Sequence, residues 1–537
     1  MTSQTRLHPA GQPRQADPRR WLVLSVLLVS LLLVVLDTSI LHVALKTLAE
    51  PAPIGLDASP SGLQWAVDSY TLVFAALLIS TGVLADRWGR KRTLVTGLAV
   101  FGLCSLWSAY ADSAAELVAA RAALGVGAAL VMPATLAIIM RVFPPGERAK
   151  AVGVWAGAAG LAVAVGPVTG GVLLEHFWWG SVFLINIPIV AVGIVAALLV
   201  VPESADRSRR GGFDPVGVLL SVTGLALVVF GVIEGGGAAD WTEWKVWAPV
   251  LGGLAVLAGF VFWERRTARP ALDVGLFGIP RFSAAVTVIG LVFFALLGAT
   301  FFLVFYLQSV RGWSPLQAGI RLLPLAVAQL AFAVPASLAA RRIGTRPVCC
   351  AGMLLATLSL LAMTAVDQHT SLWAIESVFF VMGVGIACVM PPATAAVMAS
   401  LPQERAGVGS AVNTTFRQVG GALGVAVLGS VLTSAYRSDM TDRLTALPVG
   451  LPEDVQDRAL ESVESTLTAA ESLGPRGEGL AASAVDAFVS AMHTTALAAA
   501  AATLLGALVS LLLLPPRTSA GRGAAERTSP ATQPTEV

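Results

Sequence analysis

Lysine is nearly missing from this 537-residue chain: only Lys46, Lys91, Lys150 and Lys245 are present, and none of them follows a glycine. A GxxxxGK[ST] phosphate loop is thereby excluded, so the chain has no ATP-binding P-loop of its own. Cysteine is as scarce. Cys104, Cys349, Cys350 and Cys388 fall in apolar runs without CxxC or Cys/His spacing and read as small packing residues, so neither a metal nor a redox site is expected. HExxH and GxSxG patterns are absent, which leaves a membrane-embedded enzyme as a distant alternative only. Charge is low as well. Asp, Glu, Lys and Arg make up 13% of the chain, against roughly 25% in soluble domains, and a net charge of +2 is too small to argue for a nucleic-acid partner. No obligate protein partner is evident.

What fills the chain instead is apolar: 56% hydrophobic residues and a mean hydropathy of +0.77. Runs of about 20 apolar residues, enough to cross roughly 30 Å of hydrocarbon as helix, recur about fourteen times. The expected fold class is therefore all-α transmembrane, with the lipid bilayer as its surroundings. Residues 21–201 hold six spans, 216–263 two additional helices, and 282–514 six more with a long loop at 436–491. The tails, 1–20 and 515–537, are polar and read as disordered. Basic residues alternate between loops, roughly 25 on one side against about seven on the other, which places both termini in the cytoplasm of a multi-pass cell-membrane protein. The 436–491 loop then lies outside. Its many acids and the helical spacing of Val455, Ala459 and Val463 read either as a solvated helical hairpin or as an acidic collar for cations.

An internal repeat organises these spans. GVGAALVMPAT begins at Gly125 and GVGIACVMPPAT at Gly383, each in the fourth span of its group and each followed by a Pro-x-Glu-Arg-Ala turn, Pro145 to Ala149 and Pro402 to Ala406. Two six-helix bundles related by a parallel repeat follow, an arrangement that puts a substrate site between the halves near the midplane.

The loop after span two reads Gly82-Val-Leu-Ala-Asp86-Arg87-Trp-Gly89-Arg90-Lys91-Arg92 and resembles the loop signature of the major facilitator superfamily. Arg121-x-x-Leu-Gly-x-Gly resembles the fourth-span motif, with Leu124 where Gln is usual. Gly153, Ala162, Gly166-Pro167 and Gly170-Gly171 resemble the antiporter motif of span five. Leu36-Asp37-Thr-Ser-Ile40 resembles the first-span motif of the fourteen-span drug:proton antiporter branch, which ordinarily ends in Pro where this chain has Lys46. The resemblance implies a secondary transporter exporting lipophilic small molecules, with quaternary-ammonium and multidrug exporters as the type. It implies a proton gradient as energy source and no cofactor. A solute importer of the same superfamily is the alternative.

The residues themselves point to where coupling would occur. Asp37 and Asp68 lie in apolar spans, where a carboxylate costs several kcal/mol unless it is paired, hydrated or protonated. Asp37 reads as the site of a proton or a cationic drug and Asp68 as a relay or second cation site; the alternative for either is an ion pair with Arg121 that only fixes helices. Asp86, Arg87, Arg90 and Lys91, with Gly82 and Gly89, read as a cytoplasmic clamp between bundles. Gly153, Gly166, Pro167, Gly170 and Gly171 give span five a face for close helix approach. Asn413, Arg417 and Gln418 form a polar stripe in span thirteen. His42 could titrate, and Tyr70, Phe302 and Tyr306 could line a cavity and stack on flat cations.

Overall fold

The computed structural model describes residues 18–204, 214–238, 243–267, 272–401, 406–446 and 451–514. Most of both tails, with Arg207 and the turn at 402–405, lies outside the described residues. The helices are α1 (Arg20–Ala49), α2 (Pro60–Trp88), α3 (Arg90–Ala109), α4 (Ala114–Val142), α5 (Pro145–His176), α6 (Ser181–Leu184) and α7 (Asn186–Val200) in the first half. Next come α8 (Pro215–Ala238) and α9 (Trp244–Arg266). The second half holds α10 (Pro280–Phe305), α11 (Pro315–Arg321), α12 (Leu323–Ile343), α13 (Thr345–Met363), α14 (Leu372–Ala399), α15 (Ala406–Ala446), α16 (Glu453–Glu461), α17 (Val463–Ser472) and α18 (Glu478–Leu513). Thirteen helical segments among the described residues are long and apolar enough to span a membrane, and fourteen once the two limbs of α2 are counted as one bent span.

Local chemistry starts and bends these helices. Ser59 and Ser113 accept hydrogen bonds from the backbone amides of Gly62 and Glu116, capping α2 and α4. Proline opens α2, α5, α10 and α11, where its missing N–H is not needed. The 56° bend of α2 falls between Leu78 and Ser80. Just past it, the Thr81 hydroxyl is drawn to the carbonyls of Leu77, Leu78 and Ala129, the kind of back-bonding that bends helices.

The repeat is visible in how its glycines pack. A Cβ on Gly127 of α4 would stand 2.8 Å from Phe101 N of α3, and one on Gly385 of α14 would stand 2.8 Å from Ala356 N of α13. Gly125 likewise faces the Tyr70 carbonyl of α2, and Gly383 the Leu325 carbonyl of α12. Each fourth span thus uses the same two glycines to lie against its second and third spans. Of the two inserted helices, α8 packs on both α2 and α15 at the bundle boundary, while α9 packs chiefly on α8.

The bundles meet on one side of the molecule, the side of the acidic loop, called here the acidic face; the Arg87–Arg92 loop marks the basic face. Near the acidic face Gly171 of α5 lies against Leu316, and Gly319 of α11 against the Pro167 carbonyl. Also there, Lys46 Nζ donates to the Gln308 carbonyl (3.3 Å) and Gln308 Nε2 to that of Val43 (3.0 Å). Toward the basic face, Gly153 and Gly157 of α5 have nothing within 4 Å of where a side chain would begin.

The acidic loop differs from the sequence expectation of a solvated hairpin. α15 runs on to Ala446 and α18 begins at Glu478, so both spans extend well into the 436–491 segment. Between them α16 and α17 bury Val455, Ala459, Val463, Ala469 and Ala470 against the core. Their apolar stripe finds a partner surface that only the assembled bundles provide.

Candidate functional site

Asp37, in the middle of α1, and Arg121, two turns into α4, meet in a buried ion pair between Asp37 Oδ2 and Arg121 Nη1. Both are essentially inaccessible, Asp37 at 2% and Arg121 at 0% exposure. The guanidinium is held from three further sides. Its Nε donates to the Ala66 carbonyl at 3.1 Å, the Tyr70 ring lies 4.4 Å from its carbon, and the Phe183 ring 6.0 Å. Tyr70, expected as cavity lining, therefore flanks the pair, with its hydroxyl directed to the Val34 carbonyl at 3.4 Å.

The second carboxylate oxygen of Asp37 is taken by a residue that sequence reading passed over. Asn186 Nδ2 donates to Asp37 Oδ1 at 2.9 Å and lies 3.1 Å from the Ser105 hydroxyl. Asn186 opens α7 after the break that follows α6. A lone Asn within the apolar run Phe-Leu-Ile-Asn-Ile was the signal available, since an amide at that depth needs a partner. Asp37 thus has a donor on each oxygen, an arrangement that stabilises its charge and fixes α1, α4 and α7 relative to one another.

Asp68 stands in the opposite condition. It is completely buried, and neither carboxylate oxygen has a hydrogen-bond partner among the described residues. It shares a stripe of α2 with Gln64 and Leu72, one turn away in each direction. Gln64 lies against Gly429 of α15, and Leu72 clusters with Ala422 and Ala426 of α15 and Val229 and Ile233 of α8. Asp68 therefore sits on the face that α2 turns to the other bundle. Burying its charge there costs several kcal/mol, a cost that a proton or an incoming cation removes.

The remaining expected residues divide. His42 is buried with both ring nitrogens unpartnered among the described residues. Arg417 places its guanidinium 4.5 Å from the Phe293 ring, with Nε unpartnered among the described residues. Asn413 reaches Thr394 at 3.5 Å, and Gln418 is partly buried on the same helix. Phe302 and Tyr306 are packed in the core, and the Tyr306 hydroxyl donates to the Asp367 carbonyl at 2.8 Å. In the antiporter-motif helix, Gly166 and Gly170 lie on Ser39 and Ile40 of α1, and Gly171 on α11, whereas Gly153 faces open space. Gly82 faces Pro133 of α4.

The signature loop is folded onto its own bundle. Arg90 donates twice to Asp86 Oδ1, at 3.0 and 2.7 Å. Lys91 Nζ reaches the Leu198 carbonyl at 2.6 Å, and Arg92 lies 3.7 Å from Glu203. Gly89 takes φ +118°, and a side chain there would also meet the Glu203 carboxylate, so only glycine makes this turn without strain. Arg87, at the end of α2, is exposed. The bundles are apart on this face, so a clamp across them belongs to a conformation with the basic face closed. Asp86→Asn removes the acceptor that fixes Arg90, a pair worth about 1 kcal/mol at this partial exposure. Insertion and yield should stay normal while substrate transport slows several-fold; normal transport at normal expression would exclude the role.

With this geometry in view, comparison with known proteins is specific. The Major Facilitator Superfamily profile matches residues 27–425. The chain is 36% identical over 495 residues to the multidrug efflux pump LfrA of Mycolicibacterium smegmatis, covering 91% of this chain and 95% of that one. It is 34% identical to the methyl viologen resistance protein SmvA of Salmonella typhimurium, covering 91% and 96%, and 34% identical to the methylenomycin A resistance protein of Streptomyces coelicolor, covering 84% and 93%. Among solved structures, a bacterial homologue of the human lysosomal transporter Spinster, crystallised inward-facing and unoccupied, superposes with a TM-score of 0.62 at 18% identity over 92% of this chain and 98% of that one. Repeat, span count, signature loop and near full-length similarity agree: the chain is a multi-pass membrane transporter that belongs to the Major Facilitator Superfamily.

Proposed function

We propose that the protein exports lipophilic organic cations across the cell membrane in exchange for protons. The observation that carries this reading is Asp68, a buried acid with no partner on the seam between the bundles, which either a proton or an organic cation can neutralise but both cannot at once. Mutual exclusion at one acid, combined with alternating exposure to the two sides, is exchange. The Asp37–Arg121–Asn186 network is the fixed charge pair beside it. Relatives named for multidrug efflux and for resistance to methyl viologen, an organic dication, support the substrate class. The basic loops place the Arg87–Arg92 face in the cytoplasm. In the conformation described here the site is then closed toward the outside, where α5 meets α11.

Energetically the exchange is sufficient. One charge crossing 100 mV is worth about 2.3 kcal/mol, and a unit of pH adds about 1.36 kcal/mol, so one or two protons per cycle concentrate a drug roughly tens- to thousands-fold. The test is to add tetraphenylphosphonium to purified protein and follow proton release, and to follow its export from cells with and without a protonophore. Release of protons and export that collapses with the gradient are expected. Export indifferent to the protonophore would exclude proton coupling.

A further inference from the structure

A second place in the molecule has the chemistry of a cation site. Beneath α16 and α17, at the acidic face, lies a cleft of about 450 Å³ counting the space it shares with solvent, within the size range of drug sites. Both bundles form its walls: Ala49 and Leu63 from the first, Phe301, Phe305, Leu432 and Phe488 from the second. The roof supplies the charge, Glu464 at the start of α17 and Glu461 at the end of α16.

Glu464 is buried and fixed, its Oε1 accepting from the Ser309 hydroxyl at 2.6 Å. Burial pushes its carboxyl above the usual carboxylate range, opposed by the Ser309 hydrogen bond and by the nearby Lys46 ammonium. Lys46 stands where the first-span motif ordinarily ends in Pro, and it ties α1 to the carbonyl of Gln308, next to Ser309. Two carboxylates against one ammonium leave the cleft net negative, with three phenylalanine rings close by. Apolar walls, aromatic faces and a held carboxylate are the chemistry that recognises a lipophilic cation.

Position adds to chemistry. Leu63 in the cleft wall is five residues from Asp68 on α2, about 8 Å by helical rise, on the way from the seam toward the acidic face. The cleft lies on the bundle boundary that has to part for release on that side. We infer that this cleft is an outer subsite for the transported cation, occupied between leaving the Asp68 region and reaching the medium, with Glu464 as its anchoring charge and Phe301, Phe305 and Phe488 as its walls. This inference rests on the proposed export of cations.

The test uses the full-length protein in cells, with Thr433, on the cleft wall, replaced by cysteine. Labelling by a membrane-impermeant maleimide applied from outside is measured against the parent protein, so that reaction at the native cysteines is subtracted. Tetraphenylphosphonium should slow labelling of Thr433→Cys about tenfold, and with Glu464→Gln about tenfold more cation should be needed for the same protection. Glu464→Asp should be intermediate. Phe305→Leu should also weaken protection and serves as the second variant should Glu464→Gln fold poorly. In the Asp68→Asn background protection should persist, which separates the cleft from the deeper site. A thiol that is not labelled, labelling indifferent to the cation, or protection unchanged by both Glu464→Gln and Phe305→Leu would each overturn the inference. Protection without any drug-elicited proton release in the parent protein would instead overturn proton exchange and leave the subsite standing.

Discussion

Arg121→Met is expected to destabilise the protein by roughly 3–5 kcal/mol, the cost of leaving a buried partner charge uncompensated. Asp37 would keep only Asn186 as a side-chain donor while remaining 2% exposed. Asp37→Asn should destabilise by a similar amount, because the Arg121 guanidinium then lacks its carboxylate and retains the Ala66 carbonyl and the Tyr70 ring. The double variant Asp37→Asn with Arg121→Met should recover much of the loss, since no charge is left buried alone, yet transport should stay abolished if the pair also switches partners during the cycle. Thermal unfolding of the purified variants in lipid nanodiscs gives the cycle, with the interaction read as the failure of the single effects to add. Additive losses would show that the two residues act independently. Transport restored together with stability would show that the pair serves only to fix α1 against α4.

Asp68→Asn should behave in the reverse manner. No hydrogen bond or ion pair of Asp68 is found among the described residues, so the substitution removes no stabilising contact and stability should change by less than about 1 kcal/mol. Transport should be affected most. An amide cannot bind or release the proton, so tetraphenylphosphonium should no longer elicit proton release, and export against a gradient should fall to the level of cells without the protein. Asp68→Glu keeps the titrating group one methylene away and should retain part of the activity. Full gradient-driven export by Asp68→Asn, at normal stability, would remove Asp68 from the coupling step and return it to Asp37, the acid that stands first in the sequence reading.

The contrast between these two acids shows where sequence stops being sufficient. Both appear in the sequence as single carboxylates in apolar runs, and nothing in their neighbours distinguishes them. Asp37 was the stronger candidate by position, lying in the middle of its span. The fold separates them: Arg121 from α4 and Asn186 from α7 converge on Asp37, while the stripe of α2 that carries Asp68 turns toward α15 and α8 and meets no donor. Partnership is a property of distant segments, and spacing along one helix does not encode it. Glu464 makes the same point from the other side. In sequence it is one of many acids in a polar loop, and only the docking of α17 on the assembled bundles buries it beside Ser309.

Other features were legible because they are local or periodic. Apolar runs of span length force helices in lipid, where every backbone group must be satisfied within the segment, so the all-α class and the spans followed from composition and run length. The glycine repeat announced two related halves because close helix contacts demand glycine at the same places in each, as Gly127 and Gly385 show. The signature loop was recognisable since a turn at φ +118° beside Glu203 admits no side chain at Gly89. What the sequence by itself determined were the helices, their number and the doubling of the bundle, all dictated by the chain's hydrophobicity and by contacts between neighbouring spans. What only the tertiary structure decided was which buried charges are paired and which stand alone, because the pairing energy comes from helices more than eighty residues apart brought within a hydrogen bond of each other.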